Sequence, residues 1–99
     1  DFMDLEKIPD RLFSRIINRY DDKILSVVVF GSNNILIGKI MNNLTYKRQQ
    51  KLKYEIQKIK ELNLLTSDAI ISMQDYILKD IKQMVDAGEI DGGIFRNLE

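Results

Sequence analysis

The sequence predicts an all-α fold, a compact bundle or superhelix of five or six short helices without a β-sheet. Apolar residues recur with a helical period along most of the chain. Capping residues (Asp, Asn, Ser or Thr) stand before most of these periodic stretches. At 99 residues the chain is long enough for one small hydrophobic core, so we expect a single domain.

The chain begins with a lead-in, residues 1–8, whose Phe2 and Leu5 are expected to pack on the core. Pro9 then stands in the first turn of a helix, a position that tolerates proline. The apolar face of this helix comprises Leu12, Phe13, Ile16, Ile17 and Tyr20.

Three arginines of this helix, Arg11, Arg15 and Arg19, recur at i, i+4 and i+8 on a second face. We interpret them as a solvated edge that reaches neighbouring carboxylates. A binding role is the less favoured alternative.

The second predicted helix, residues 23–30, is also the only stretch with the character of a strand, because Val, Ile and Phe favour sheets. No other stretch supplies a convincing partner strand, so we assign a buried helix capped by Asp21 and Asp22. Gly31 is expected to end it in a left-handed conformation.

The third predicted helix, residues 35–42, is capped by Ser32 or Asn33. Its inward residues are expected to be Ile35, Leu36, Ile40 and Met41, with Leu44 following into the core.

The fourth predicted helix runs from Thr45 to Leu62 and carries most of the positive charge. Its apolar stripe is narrow: Leu52, Ile56 and Ile59. Residues 45–61 contain six basic and two acidic side chains, a net charge of +4 (six minus two), within a chain whose net charge is zero. A solvated face is the ordinary interpretation of such a helix, and a binding surface is the functional one.

The last helical stretch starts at residues 66–68, all of which are good capping residues. Residues 66–74 form either its first part or a separate short helix. The helical period continues to Gly88, where we expect the helix to stop and Ile90 to fold back on the core.

The composition leaves few routes to catalysis. The chain contains no cysteine and no histidine, which removes thiolate chemistry, the commonest metal ligand and the commonest general base. We therefore predict no enzyme activity, no catalytic residues, no metal and no cofactor. The acidic cluster of Asp86, Glu89 and Asp91 does not have the spacing of a calcium loop.

Several short motifs occur in a fixed order along the chain. The lead-in contains F-x-D-L (Phe2, Asp4, Leu5), followed by D-R at residues 10–11 and Gly-Ser at residues 31–32. An Asn-Leu-Thr step at residues 43–45 precedes a basic residue, Lys47, and G-E-I occurs at residues 88–90. In this order, the chain resembles the C-terminal domain of FliG, the flagellar motor switch protein, over nearly its whole length.

The resemblance implies that one helix of the domain carries a ridge of charges, which in that family meets the cytoplasmic loop of the stator protein MotA. By spacing, this helix is residues 45–62 here. The family's ridge Arg falls on Lys47, which keeps the positive charge. Its two adjacent Asp fall on Tyr54 and Glu55, which keep one of the two negative charges. The predicted partner-binding residues are Lys47, Lys51, Tyr54, Glu55 and Lys58, which share one face of the helix.

The chain departs from the family pattern at three further places. A family Lys falls on Phe30, and the usual Ala-Ala after the ridge Arg falls on Arg48 and Gln49. The final family Arg has no counterpart, since residues 60–65 lack the Gly-Pro turn before it. We expect these departures to weaken or redirect stator engagement, as in a divergent second copy of the rotor protein.

The resemblance implies a rotor (C-ring) domain that transmits torque and sets rotation, with MotA, FliM and neighbouring FliG subunits as partners. It implies a cytoplasmic location, peripheral at the inner membrane face in the flagellar basal body, without membrane insertion or nucleic-acid binding. The residues alone leave an alternative, a helical module that binds an acidic partner or nucleic acid through residues 45–62. Residues 94–99 are expected to be a flexible tail.

Overall fold

The computed structural model of the protein describes residues 2–93, and the tail expected at residues 94–99 lies outside them. A 3₁₀ helix, Phe2–Lys7, leads into five α-helices: α1 (Asp10–Ile17), α2 (Asp22–Phe30), α3 (Asn34–Asn42), α4 (Tyr46–Leu62) and α5 (Ser67–Asp86). Residues 2–93 contain no strand, so the all-α prediction is confirmed.

Helix α2 lies at the centre and packs against both α4 and α5. Its Leu25 and Val28 are fully buried. Ser26, the one buried polar side chain in residues 2–93, donates its hydroxyl hydrogen bond to the Lys23 carbonyl at 2.6 Å. The Asp21 carboxylate accepts from the Ile24 N–H at 2.9 Å, which starts the helix. Burial from two sides and a good cap thus override the sheet preference of this segment.

The predicted caps of the later helices are confirmed. The side-chain oxygens of Asn33, Thr45 and Thr66 each accept a hydrogen bond from the backbone N–H three residues later, at 2.9, 3.2 and 3.1 Å respectively. Asn33, and not Ser32, is therefore the cap of α3. Each bond satisfies one of the four N–H groups that a helix start leaves without a partner.

Residues 67–86 form one continuous helix, so the alternative of a separate short helix at residues 66–74 is wrong. Gly88 ends α5 with a φ of 76°, as predicted. The Glu89 N–H donates to the Met84 carbonyl at 2.9 Å and the Gly88 N–H to the Val85 carbonyl at 3.0 Å. This is a Schellman motif, and it turns the chain so that Ile90 is buried in the core.

The predicted reason for Gly31 is wrong. Its φ is −90°, which any residue can adopt. A Cβ at this position would instead lie 2.4 Å from Ile70 Cγ2 and 2.6 Å from Gln74 Nε2 of α5. Gly31 lies so close to α5 that any side chain at this position would have to displace Ile70 and Gln74.

The predicted inward face of α3 is wrong at Ile35, which is 69% exposed. Leu36 and Ile40 fill the core from the same helix and are fully buried. Apolar residues at positions 35, 36, 37, 40 and 41 cover more than half of the circumference of α3, so the pattern alone did not select the buried side.

The predicted packing of the lead-in is confirmed, since Phe2 and Leu5 are both buried. Lys39 of α3 holds this segment: its ammonium donates to the carbonyls of Glu6, at 2.7 Å, and Ile8. The ammonium also lies 4.9 Å from the centre of the Phe13 ring. Burial lowers the pKa of Lys39, against the opposing effect of the nearby Asp10 and Glu6 carboxylates.

The close approach at Gly31, just after α2, predicts that the same substitution has opposite effects there and at Gly38 within α3. Gly31→Ala should destabilise the fold by roughly 1–3 kcal/mol, because Ile70 and Gln74 must shift. Gly38→Ala should stabilise it by about 0.5–1 kcal/mol, since a Cβ there meets nothing within 4 Å and alanine favours helix. Urea denaturation of both variants gives the comparison. Equal effects would contradict the crowding argument.

Burial also predicts different effects on stability for alanine substitutions at two leucines. Leu52 is fully buried, so Leu52→Ala should cost roughly 2–5 kcal/mol of unfolding free energy. Leu64 is 63% exposed, so Leu64→Ala should stay within about 0.5 kcal/mol. Thermal melts followed by circular dichroism measure both changes, and an unaltered melt for Leu52→Ala would mean that α4 is rotated relative to this structure.

Candidate functional site

Helix α4 is attached to the core through its first half. Leu52 is the only fully buried residue of α4. The Gln49 amide donates to the carbonyls of Met41 at 2.9 Å and Leu44 at 3.1 Å. Both carbonyls lie at or just after the end of α3, and the Met41 carbonyl also accepts from the Leu44 N–H at 3.1 Å. Gln49 therefore fixes the start of α4 against the end of α3.

Arg48 makes the strongest polar anchor of α4. Its guanidinium donates to Asp22 Oδ1 from Nη2 at 3.1 Å and from Nε at 3.3 Å, and to the Tyr20 carbonyl at 2.8 Å. A further bond goes from Nη1 to Asn18 Oδ1 at 3.1 Å. The Arg48 and Asp22 side chains are each only 24% exposed, so water screens this pair less than a surface pair.

Tyr20 extends this anchor to α5. Its backbone carbonyl accepts from Arg48 of α4, while its hydroxyl donates to Asp80 Oδ2 of α5 at 2.9 Å. Burial, and then the hydrogen bond to the Asp80 carboxylate, raise the pKa of Tyr20 well above its usual range. The phenol therefore stays protonated and keeps donating at neutral pH.

Sequence reasoning missed the role of Arg48, which it treated as one of the cations of the helix and as a departure from the Ala-Ala of the family pattern. The available signal was its position, four residues before Leu52, which puts it at the edge of the buried stripe. A long cation at that edge can reach an acidic helix start, and Asp22 supplies one in α2.

The predicted ridge residues all lie on one side of α4, but they differ in their surroundings. Lys47, Lys51 and Tyr54 are exposed, and the Tyr54 ring is 64% exposed. Lys58 forms an ion pair with Glu55 at 3.6 Å, and its ammonium lies 5.2 Å from the centre of the Tyr54 ring. The structure therefore brings Tyr54, Glu55 and Lys58 together as one cluster. Lys47 and Lys51 stand apart from it toward the helix start.

The ion pairs of α4 do not change its net charge, but they decide where its positive charge is left unpaired. Glu55 is engaged by Lys58, and Glu61 accepts a hydrogen bond from Gln57 at 3.2 Å. Within residues 2–93, Lys47 and Lys51 form no ion pair. The uncompensated charge of the ridge is thus cationic and concentrated in its first two turns.

The end of α4 is closed without the Gly-Pro turn of the family pattern. Asn63 takes the left-handed conformation, with a φ of 50°. The Leu64 N–H donates to the Ile59 carbonyl at 3.4 Å, the helix-ending bond that usually accompanies glycine. Asparagine tolerates this backbone conformation better than most residues, so it substitutes for glycine here.

Other candidate sites have little chemical content. In the described part of the chain, no three acidic side chains are grouped so that they could hold a metal ion. Glu89 of the acidic cluster is paired with Arg19 at 3.5 Å. Over residues 2–93, every helix is too short or too polar to cross a bilayer.

A protein-family model described as the FliG C-terminal domain matches residues 1–91. The chain belongs to this family. The match covers the 3₁₀ helix and all five α-helices, including the ridge helix α4. Neither the curated proteins nor the solved structures include a significant match to the chain.

Membership makes the chain a component of the flagellar motor switch, which acts in flagellar rotation. The family is a structural one that functions in the flagellar rotor and is not known as an enzyme family. The resemblance inferred from the order of the short motifs is therefore confirmed. The ridge residues named above stay predictions at this point, because family membership does not test them.

The hydrogen bonds of Arg48 predict that the shape of its guanidinium contributes more to stability than its positive charge. Arg48→Lys keeps the charge but loses the planar fork that reaches Asp22 and the Tyr20 carbonyl together. We expect it to cost about 1–3 kcal/mol of unfolding free energy. Lys51→Ala, which removes an exposed cation one turn away, should stay within about 0.5 kcal/mol. Chemical denaturation of the two variants distinguishes them, and an Arg48→Lys variant as stable as Lys51→Ala would contradict the anchor.

Proposed function

We propose that this chain transmits torque and sets rotation in the flagellar rotor by meeting the cytoplasmic loop of the stator protein MotA through its α4 ridge. The ridge consists of Lys47, Lys51, Tyr54, Glu55 and Lys58. The observation that carries the proposal is the division of α4 into two sides. One side is tied to the core, and the ridge side presents the exposed Lys47, Lys51 and Tyr54 beside the half-buried pair of Glu55 and Lys58. Membership in the switch-protein family supplies the motor context.

Force transfer needs a contact surface that does not move relative to its own domain. Leu52, Arg48 and Gln49 join α4 to α2, α3 and the connection before α2. A load applied at Lys47 therefore acts directly beside the Arg48 anchor. The attachment of α4 is suited to passing a sideways load into the body of the domain.

The chemistry of the ridge is suited to brief contacts. Exposed charges across a wet interface set the association rate and the orientation of the partners more than the affinity. Weak pairs of this kind, worth about 0–1 kcal/mol each, can form and break repeatedly. A passing stator loop would be guided by the ridge without being held.

The departures from the family pattern define the proposed preference of this ridge. Tyr54 stands where the family has an acid, and Phe30 stands where it has a lysine. Glu55, the one retained acid, is engaged by Lys58. We propose that the ridge engages acidic groups of the stator loop and has lost most of its attraction for basic ones. A divergent second copy of the rotor protein, with altered engagement, fits this charge pattern.

The other proposed partners follow from the rotor context. They are FliM and neighbouring FliG subunits, and the proposed location is cytoplasmic, peripheral at the inner membrane face in the basal body.

A second candidate function rests on the unpaired lysines of α4. Lys47, Lys51, Lys53 and Lys60 form no ion pair within residues 2–93, which would suit an acidic protein or a nucleic acid. A gel shift with generic DNA or RNA that weakens with salt would favour this candidate. Binding to a stator loop peptide without such a shift would favour the rotor proposal.

The ridge proposal is tested by charge reversal in a strain with no other copy of this protein. Lys47→Glu should impair motility, and Glu55→Lys should do so less, because Glu55 is already paired. Lys47→Glu should change stability by no more than about 0.5 kcal/mol. Glu55→Lys, which breaks the pair with Lys58, should cost no more than about 1 kcal/mol. Lys47→Glu places an acid in the first turn of α4, which favours the helix slightly.

The matched control is Lys53→Glu, the same charge change on the other flank of α4. It should leave motility near the level of the unaltered protein. A complementary charge change in the stator loop should restore part of the loss caused by Lys47→Glu. Motility unaffected by both ridge reversals would mean that the ridge is not the torque surface.

A further inference from the structure

A surface groove lies between α1 and the turn that follows α5. It consists of two adjoining hollows of about 270 and 530 Å³. The hollows share four lining residues: Leu12, Arg15, Glu89 and Ile90. No residue of α4 lines either hollow, so this groove is separate from the ridge.

The floor of the groove is apolar and fixed in shape. Ile16, Met84 and Ile90 form it and are buried in the core, while Leu12 is half-buried beside them. Ile90 is held in place by the Schellman motif at Gly88. The groove therefore exists without a ligand and would not have to form on binding.

One wall of the groove is the arginine edge of α1. Arg11 and Arg15 are exposed and form no ion pair within residues 2–93. They are one helical turn apart, a rise of about 6 Å. Arg19, in the turn that follows α1, reaches across to Glu89 at 3.5 Å, and both side chains are about half exposed. A pair this exposed contributes little and exchanges easily with another carboxylate.

We propose that this groove binds an acidic amphipathic helix of a partner protein. Carboxylates at i and i+4 of that helix would repeat with the same rise of about 6 Å as Arg11 and Arg15. Each guanidinium can donate two parallel hydrogen bonds to the oxygens of one carboxylate. An apolar side chain on the same face of the partner helix would lie on Leu12 and Ile90.

The charge pattern favours this occupant over a nucleic acid. Glu89 and Asp91 line the wall opposite the arginines, so a phosphate backbone in the groove would lie against two carboxylates. A protein helix can present acids toward the arginine wall and neutral or basic residues toward Glu89 and Asp91.

The test uses the chain labelled with ¹⁵N and a synthetic helical peptide with leucines on one face and glutamates at i and i+4 beside them. Titration should shift the backbone amides of α1 and of residues 88–91. A peptide in which glutamine replaces each glutamate should bind on the order of tenfold more weakly. Equal binding of the two peptides, or shifts confined to α4, would overturn the proposal.

Two variants with the same change of net charge separate contact from bulk attraction. Arg15→Glu should weaken peptide binding by at least about tenfold, whereas Lys53→Glu on α4 should change it less than about twofold. If Arg15→Glu lowers the melting temperature because it places a glutamate near the end of α1, Arg15→Gln replaces it as the test variant. Arg15→Gln should also weaken peptide binding. Equal losses for Arg15→Glu and Lys53→Glu would overturn the proposal. The proposal would also be overturned if the amide signals of the groove broadened as the protein concentration rose in the absence of peptide. The occupant would then be a second copy of this chain.

Discussion

Burial of α2 between α4 and α5 is the constraint on which the rest of the fold depends. A helix of nine residues has carbonyls and N–H groups without helical partners at both ends, and here those ends lie among other helices. Local residues satisfy the helix ends: Asp21 accepts from the Ile24 N–H at 2.9 Å, and the Ser32 hydroxyl donates to the Val28 carbonyl at 2.7 Å. Side chains of the two covering helices satisfy the carbonyls just outside α2. Gln74 of α5 donates to the Gly31 carbonyl at 3.2 Å, and Arg48 of α4 binds the Tyr20 carbonyl just before α2. The same polar contacts that make α2 tolerable in the core also fix the two helices that cover it.

The cations of α4 are divided by chemistry between these structural contacts and the surface. The single arginine, Arg48, uses its planar fork for four internal hydrogen bonds. The exposed lysines Lys47 and Lys51 carry compact, hydrated charges on flexible stems. One basic helix thus provides both rigid hydrogen bonds inside the domain and weak electrostatic attraction for a partner at its surface.

The sequence predicted what depends on neighbouring residues and failed where distant residues decide. The caps Asp21, Asn33, Thr45 and Thr66 are local, so residue type and position sufficed. The solvent side of α4 was likewise predictable from one narrow stripe around Leu52. Contacts between helices were not: Arg48 meets Asp22 across 26 positions of the chain, and no periodicity contains that pairing. The buried side of α3 was missed for a related reason, since its apolar residues surround most of the helix.

Because Gly31 has no side chain, the residues that evolution can place at position 31 and at the distant position 70 depend on each other. The atom that a Cβ would meet most closely is Cγ2 of Ile70, the methyl group that a leucine at position 70 would lack. What residue 31 can be thus depends on the branching of residue 70, thirty-nine positions later (70 minus 31). Among descendants of this chain, a larger residue at position 31 should arise together with a smaller residue, or one not branched at Cβ, at position 70. The contact between α2 and α5 would then be visible in sequences as a pair of positions that change in step.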